Sequence, residues 1–244
     1  MSDGSPVFSL DHVYFAYAVG EERREVLRDV NFALHADRHF GLYGPNGSGK
    51  TTFFRCITGL ARPQRGILHF HGAVVAGEKD FRALRRKVGY VLQNADDQLF
   101  FPTVLEDVAF GPLNLGLAPE AARARAVETL ERLGLSGFEH RLVHRLSGGE
   151  KKLISLATVL AMRPDALLLD EPTNGLDNEA RDRLIDILQH LPTARIVISH
   201  DWDFLEKTAT EFLTILDGSL THRAPSFAHA HTHAHPLGNE PHKH

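Results

Sequence analysis

Short apolar runs alternate with longer amphipathic segments along most of the chain. The apolar runs predict strands over Val7–Tyr17, Val26–Leu34, Phe40–Tyr43, Gly66–Gly72, Val88–Leu92, Ala166–Leu169 and Arg195–Ser199, and a hairpin of Phe212–Asp217 with Ser219–His222. Helical spacing predicts helices over Thr52–Leu60, Thr103–Phe110, Pro119–Gly134, Glu150–Met162, Asn178–Leu191 and Trp202–Ala209. This alternation is typical of an α/β fold, and the charged stretch Gly20–Glu25 predicts a turn.

The stretch Asn94–Arg145 interrupts the alternation because it contains helical patterns only. We therefore expect a helical subdomain over about residues 94–145. The loop that leads into it carries Phe100 and Phe101 beside two acidic residues, an unusual composition for a surface. The sequence leaves two interpretations open: the two rings belong to the core, or they form an exposed apolar knob for a partner.

Composition narrows the class of protein. The 244 residues are 43% hydrophobic, enough for one large α/β domain or a core with a subdomain. The formal charge of −4 and the pI near 6.5 argue against a dominant nucleic-acid surface. Cys56 is the sole cysteine, so no disulfide forms within the chain and a reducing compartment is expected. Met1–Pro6 shows no signal peptide and no apolar run approaches the roughly 20 residues of a membrane span, so we expect a soluble protein that reaches a membrane through a partner.

Gly44–Thr51 carries the clearest chemistry. It matches G-x-x-x-x-G-K-[ST] at every fixed position, between a predicted strand and a predicted helix. Its glycines permit positive φ, so that consecutive N–H groups turn inward and bind an anion at the positive end of the helix. Lys50 supplies a charge for the β- and γ-phosphates, and the Thr51 hydroxyl can ligate Mg²⁺. The predicted nucleotide-binding residues here are Gly44, Pro45, Asn46, Gly47, Ser48, Gly49, Lys50, Thr51 and Thr52.

Three further groups lie where a predicted strand ends or a predicted helix begins. Asp170 and Glu171 end an apolar strand, a position that indicates a Mg²⁺ ligand and a general base for an attacking water, respectively. His200 leaves another strand expected beside the same crevice, where its imidazole can hydrogen-bond a γ-phosphate. Ser147–Glu150 opens a helix, either as a second phosphate site or only as a capping box.

The order and spacing of these motifs resembles the nucleotide-binding subunits of ATP-binding-cassette (ABC) transporters over about Val7–His222. The motifs that carry the resemblance are Tyr17, Gly44–Thr51, Gln93, Leu146–Glu150, Leu167–Glu171, Gly175–Asp177 and His200. It implies an α/β fold with a P-loop NTPase core, an antiparallel β subdomain and an inserted α-helical subdomain, in an ATPase domain over residues 1–223. One departure is Glu150, where the family's pentapeptide commonly ends in glutamine.

The resemblance implies ATP and Mg²⁺ as cofactors and assigns a role to each motif. Tyr17, which spacing alone treats as an ordinary strand aromatic, would stack on adenine. The implied Mg²⁺ ligands are Thr51, Gln93 and Asp170, and the implied catalytic residues are Glu171, His200 and Gln93.

The resemblance also implies partners. Two such domains would pair head to tail around two ATP molecules, as a homodimer or a heterodimer. The residues implied to reach the partner's nucleotide or phosphate loop are Ser147, Gly148, Gly149 and Asp177. A transmembrane coupling subunit would hold the pair at the cytoplasmic face of the cell membrane, and no nucleic-acid partner is expected.

A narrower resemblance concerns Gln93–Phe100 and Phe110–Leu117, which are similar to segments in the ATPases of energy-coupling-factor importers, especially the cobalt/nickel type. It implies uptake of a divalent transition metal, cobalt or nickel, and an interface role for Phe100 and Phe101. Import of a vitamin or another substrate is the alternative. A soluble ABC ATPase acting on nucleic acid is a more distant one.

The last segment, residues 224–244, is rich in histidine, and we expect it to be disordered. In an extended chain the alternating histidines would fall on one side, where imidazoles suit Ni²⁺, Co²⁺ or Zn²⁺. The candidate ligands are His229, His231, His233 and His235. The sequence leaves open a polar tail without such a role, or an engineered tag.

Overall fold

A computed structural model describes residues 4–20 and 22–223. The strands are β1 (Phe8–Val19), β2 (Glu22–Leu34), β3 (His39–Tyr43), β4 (Arg65–Phe70), β5 (Ala73–Val74), β6 (Val88–Val91), β7 (Ala166–Asp170), β8 (Ala194–Ile198), β9 (Glu211–Leu216) and β10 (Ser219–Arg223). The helices are α1 (Lys50–Thr58), α2 (Glu78–Arg85), α3 (Val104–Asn114), α4 (Pro119–Arg132), α5 (Gly148–Leu160), α6 (Asn178–Gln189) and α7 (Trp202–Thr208), with 3₁₀ turns at Ala95–Asp97 and Val143–Arg145. The histidine-rich segment 224–244 and its four candidate metal ligands lie outside the described residues.

A six-stranded sheet forms the centre of the fold, in the order β10-β9-β3-β8-β7-β6. The strands from β9 to β6 run parallel, and β10 pairs antiparallel with β9. Every residue of β7 and β8 is buried, as expected for parallel strands that are covered on both faces. The parallel alignment brings the carboxyl ends of β3, β7 and β8 to one edge, where the segments with the predicted chemistry leave the sheet.

A second sheet is antiparallel and has the order β2-β1-β4-β5. The predicted turn over Gly20–Glu25 is too long: Gly20 lies in a turn, but β1 and β2 continue as a hairpin until Val19 pairs with Glu22, so Glu22–Glu25 belong to a strand. The charged residues from Glu22 to Glu25 are exposed on a strand that extends beyond the core. Their polarity, which predicts a loop, instead reflects the solvation of that strand.

The segment between β6 and α5 carries helices, as the pattern over Asn94–Arg145 predicts. α3 and α4 pack on each other and on α5 around shared apolar residues. Those that are fully buried include Val104, Val108, Ala122, Ala126, Leu130 and Ile154. In the part of the chain that the structure describes, no helix is both long and apolar enough to cross a membrane.

Phe100 and Phe101 lie at the surface of this helical segment. Phe100 is 74% exposed, and Phe101 is half-buried against Phe110, with 5.1 Å between ring centroids. The buried carboxylate of Asp107 accepts the backbone N–H groups of Phe100 and Phe101 at 2.8 and 3.1 Å. Burial raises the pKa of Asp107, and these two hydrogen bonds oppose that shift. The exposed Phe100 ring is therefore carried by a loop whose backbone is held by hydrogen bonds to Asp107.

Arg195 in β8 ties the sheet to two helices through a buried guanidinium. It donates to the carbonyl of Leu191, just past the end of α6, at 2.8 Å. It also donates twice to the carbonyl of Thr208, the last residue of α7, at 2.9 and 3.1 Å. Burial lowers the pKa of Arg195 to about 10, so the group stays charged at neutral pH. A cation in this position suits the negative ends of both helices.

Candidate active site

The phosphate loop joins β3 to α1 with a backbone suited to binding an anion. Gly44, Gly47 and Gly49 have φ values of 142°, 77° and 107°. At Gly49, which precedes α1, a Cβ would lie 2.9 Å from Cγ1 of Val26, so a side chain suits neither the backbone nor the space. The first N–H groups of α1 consequently face the loop without helical partners.

Two polar side chains of the loop are placed to bind a phosphate. The ammonium of buried Lys50 donates to the carbonyl oxygens of Gly44 and Pro45 at 2.7 and 2.9 Å. Burial lowers the pKa of Lys50, against the opposing effect of the two carboxylates that follow β7. The hydroxyl oxygen of Ser48 is buried without a hydrogen-bond partner among the described residues. Phosphate oxygens can replace the carbonyl acceptors of Lys50 and would give the Ser48 hydroxyl a partner, so the loop fits a nucleotide phosphate.

Asp170 lies at the end of β7 with two hydroxyl partners. Thr51 Oγ1 donates to Oδ1 at 3.3 Å, and Tyr90 donates from its hydroxyl to Oδ2 at 2.9 Å. Burial raises the pKa of Asp170, whereas these hydrogen bonds lower it. The described residues hold no cluster of three or more His, Cys, Asp or Glu placed to bind a metal ion. One carboxylate and one hydroxyl still fit Mg²⁺, which is usually bound through one or two carboxylates, substrate phosphates and water.

Glu171 follows Asp170 in a strained and buried position. Its φ is 47°, in a region that residues other than glycine adopt rarely. One carboxylate oxygen accepts the backbone N–H of His200 at 3.3 Å, and the other lies 3.2 Å from the His200 Nε2. The imidazole itself is half-exposed. The end of β8 thus holds the Glu171 carboxylate in place and presents an imidazole next to it.

Arg181 connects the first turns of α6 and α7. Its guanidinium binds both carboxylate oxygens of Asp201, at 2.6 and 3.0 Å, and also reaches Asp203. Asp201 in turn caps α7 by accepting the N–H of Phe204 at 3.0 Å. Since His200 precedes Asp201, this ion-pair group fixes the segment that carries the imidazole.

A cavity of about 530 Å³ lies between the phosphate loop, the end of β7 and the β1–β2 hairpin. Its volume is within the range of ligand-binding pockets. The predicted site residues that line it are Tyr17, Asn46, Gly47, Gly49, Lys50, Thr51, Thr52, Gln93, Asp170, Glu171 and His200. Gly44, Pro45 and Ser48 belong to the same loop, and the Tyr17 hydroxyl lies 3.2 Å from Thr52 Oγ1 at the rim.

Ser147, Gly148 and Gly149 do not line this cavity. Ser147 Oγ accepts the N–H of Glu150 at 3.2 Å, and the Glu150 carboxylate accepts the N–H of Ser147 at 2.8 Å, so the capping box exists. A Cβ on Gly149 would lie 2.9 Å from that of Ala180 in α6, next to Asp177, the N-cap of that helix. The four residues implied to reach a partner therefore form a separate surface.

Residues 27–174 match the model of the ABC transporter family, which is more than half of the chain and includes the phosphate loop and both carboxylates. This chain is an ATPase of the ABC transporter family. The recognition of the family from its motifs is confirmed, and so is the predicted activity class.

Relatives of this ABC ATPase extend over most of its length. It is 54% identical over 241 residues to a protein of Nitratidesulfovibrio vulgaris that is provisionally described as an ABC transporter ATP-binding protein, covering 99% of this chain and 87% of that one. It is 40% identical over 212 residues to the energy-coupling factor transporter ATP-binding protein EcfA of Methanocaldococcus jannaschii, covering 85% and 75%.

Solved structures confirm the fold class. The cbiO1 protein of Clostridium perfringens, part of the ABC transporter complex cbiONQ, superposes with a TM-score of 0.79 at 28% identity, covering 89% of this chain and 87% of that one. The cassette MJ0796, a dimer in a post-hydrolysis state with ADP and Pi, gives 0.80 at 26% identity, covering 88% and 97%. The ABC family thus includes cassettes that form dimers and subunits that belong to larger transporter complexes.

Four residues that line the cavity were not predicted from the sequence motifs: Arg24, Val26, Asn174 and Ile198. Tyr90 was not predicted either, although its hydroxyl donates to Asp170. β6 pairs with β7 in the sheet, and Tyr90 is opposite Leu168. No local pattern marks this tyrosine, because its role depends on which strands are neighbours. Only knowledge that β6 lies next to β7 would have identified Tyr90 as a neighbour of Asp170.

Tyr90→Phe tests the hydroxyl that holds Asp170. Without that hydrogen bond the pKa of the carboxyl rises further, because the bond favours the ionised form. We therefore expect the acid limb of kcat/KM for ATP hydrolysis to move to higher pH, because the carboxylate loses one charge-assisted hydrogen bond. Tyr43→Phe is the control, since the Tyr43 hydroxyl has no hydrogen-bond partner among the described residues. Identical pH profiles for the two variants would contradict this role.

Proposed function

We propose that this ABC ATPase drives an importer of the energy-coupling type whose cargo is a divalent transition metal, cobalt or nickel. One observation carries the coupling part of the proposal. The hydrolytic groups lie together in one cavity, while Ser147–Gly149 are not among its lining residues and lie at the start of α5. A chain built in this way hydrolyses ATP efficiently only when a second ATPase subunit supplies the missing surface.

Binding of ATP uses the rim and the loop of the cavity. Tyr17, which is 36% exposed, stacks on the base, and Lys50 with the loop N–H groups binds the β- and γ-phosphates. Thr51, Gln93 and Asp170 hold Mg²⁺. Bound there, the ion neutralises charge on the phosphates.

Hydrolysis uses the two groups at the ends of β7 and β8. Glu171 accepts the proton of the attacking water as a general base. The backbone of His200 orients that carboxylate, and its imidazole donates a hydrogen bond to a γ-phosphate oxygen. Both groups are positioned by the parallel sheet, so little reorganisation is needed once ATP is bound.

Dimer closure completes each site from two chains. Ser147 and the N–H groups of Gly148 and Gly149 stand at the positive end of α5, which suits a γ-phosphate on the partner. Asp177 lies next to them and faces the partner's phosphate loop. Closure stores the binding energy of ATP, and hydrolysis releases it to the membrane subunits.

The docking surface for a transmembrane subunit is the exposed apolar edge of the helical segment. Phe100 is 74% exposed, Phe110 44% and Leu113 42%, and all three lie between Gln93 and α4. Scattered apolar residues are common on surfaces, but two aromatic rings in one supported cluster indicate a partner. The peripheral location at the cytoplasmic face of the membrane follows from this docking.

Metal as the cargo rests on the resemblance of Gln93–Phe100 and Phe110–Leu117 to cobalt/nickel importers and on the neighbour cbiO1. The relatives named EcfA support the alternative, an energy-coupling importer of another substrate. The histidines at 229, 231, 233 and 235 would act as a collecting arm for Ni²⁺, Co²⁺ or Zn²⁺.

Glu171→Gln separates binding from hydrolysis. The amide keeps the shape of the side chain but cannot accept the proton, so we expect kcat to fall by at least about a hundredfold. ATP binding should persist and trap a closed dimer, measured by sedimentation with ATP and Mg²⁺. Glu120→Gln, at an exposed position on α4, is the control and should match the wild type. Unchanged hydrolysis in Glu171→Gln would exclude it as the base.

Phe100→Ser tests the docking surface and the cargo together, in membranes that contain the native membrane subunits. We expect uptake to fall at least about tenfold, as for the loss of an aromatic anchor in an interface. Basal hydrolysis by the free ATPase should be unchanged. Leu60→Ser, at a residue 63% exposed elsewhere on the surface, is the control. Uptake of a vitamin but neither cobalt nor nickel by the wild-type complex would exclude the metal.

Deletion of residues 224–244 tests the collecting arm. We expect calorimetry with Ni²⁺ or Co²⁺ to show the loss of most binding, because the four alternating histidines are removed. ATP hydrolysis should stay within about twofold of the full chain, since none of the residues that line the cavity is removed. Equal metal binding by the shortened chain would contradict the role of the arm.

A further inference from the structure

Lys152 is a buried lysine on the second turn of α5, with 9% of its surface exposed. Its ammonium donates to the backbone carbonyl of Gln93, the residue proposed to contact Mg²⁺. Burial lowers the pKa of Lys152, while the charges of Asp170 and Glu171 oppose that shift. Lysine is rarely buried without a strong reason, because an unpaired ammonium is costly to desolvate. This side chain thus connects α5 to a residue that lines the cavity.

Two further contacts attach the same loop to α5. Lys151 Nζ lies 2.6 Å from Asp96 Oδ1, in a largely solvated ion pair. The Gln98 amide nitrogen donates to the carbonyl of Ser155 at 2.8 Å and to Thr158 Oγ1 at 2.9 Å. These contacts hold Asp96 and Gln98, which follow Gln93 along the loop. Lys152 alone of the three reaches Gln93 itself.

The other end of the connection is the start of α5. Ser147 caps this helix, and Gly148 and Gly149 form its first turn. Lys152 follows Ser147 by five residues in one continuous helix, so the backbone of Lys152 and the first turn move together. The hydrogen bond from the Lys152 side chain therefore connects a residue that lines one nucleotide site to the helix that carries Ser147–Gly149.

We propose that Lys152 is a positioning residue that makes the first turn of α5 follow the Gln93 loop. This inference rests on the proposed roles of Gln93 and of Ser147–Gly149. Nucleotide bound in a chain's own cavity moves its Gln93 loop, and Lys152 passes that movement to the surface offered to the neighbour. Each chain then completes its partner's site only after filling its own.

Hydrogen exchange tests the connection within a single chain. The probe is AMP-PNP with Mg²⁺, at a protein concentration where sedimentation shows a monomer. In the wild type we expect slower exchange in peptides that cover Gln93 and in peptides that cover Leu146–Lys152. In Lys152→Met, which keeps the unbranched aliphatic shape but not the charge or the donor, we expect the Gln93 peptides to respond as before. The response of the α5 peptides should fall by about tenfold, because their coupling is local.

Two variants separate positioning from simple stability. Lys152→Arg restores a cation and should recover most of the α5 response. Lys87→Met removes an exposed lysine paired with Asp165 at 3.3 Å, and should leave both responses unchanged. In Lys152→Met, nucleotide affinity should stay within about twofold of the wild type, while kcat falls by about tenfold.

Several outcomes would overturn the inference. An undiminished α5 response in Lys152→Met means that the lysine does not transmit the movement. A loss of nucleotide affinity and of both responses, with a lower melting temperature, means that it serves stability only. A wild-type response confined to the Gln93 peptides overturns the connection and leaves the proposed function standing. No response of the Gln93 peptides overturns the proposed role of Gln93 as well.

Discussion

The parallel pairing of β3, β8 and β7 is the constraint on which the site depends. The strands are buried on both faces, so their register is fixed by packing as well as by hydrogen bonds. The phosphate loop, the His200 imidazole and the two carboxylates lie at the carboxyl ends of these strands, at one edge of the sheet. Each of these groups comes from a distant part of the sequence. Their proximity is a property of strand order, and no loop alone could provide it.

Charge is nearly balanced within this edge before any nucleotide binds. Lys50 and Lys152 are both buried, and burial shifts their pKa downward, while the carboxylates of Asp170 and Glu171 oppose that shift. One lysine is bonded to a carbonyl of the phosphate loop and the other to the carbonyl of Gln93. Phosphate oxygens of a bound nucleotide would replace the main-chain acceptors of Lys50. Such a site exchanges partners without exposing a bare charge.

Much of this arrangement was predictable because its signals are local. Glycines that need positive φ, a lysine and a threonine identify the phosphate loop wherever the fold places it, and carboxylates after an apolar strand identify the opposite wall. The charged stretch Glu22–Glu25 was wrongly predicted to be a turn, because charge indicates only solvent exposure and an exposed strand can have the same composition as a turn. Tyr90 and Lys152 gave no signal, because their roles depend on which strand and which loop lie next to them. The role of Phe100 could not be decided from the sequence, because the sequence does not distinguish a buried aromatic residue from an exposed one.

Arg195 and Arg181 together have a mechanical consequence. Arg195 joins the far ends of α6 and α7 to the sheet, and Arg181 joins their near ends to each other. Each of the two helices is therefore linked to the other near its first turn and held to the sheet at its far end. α6 has 12 residues, about 18 Å of length, so a tilt of about 5° about its far end would displace its first turn by about 1.5 Å. Asp177 and His200 both lie at the end where Arg181 links the helices, so such a tilt would affect both residues.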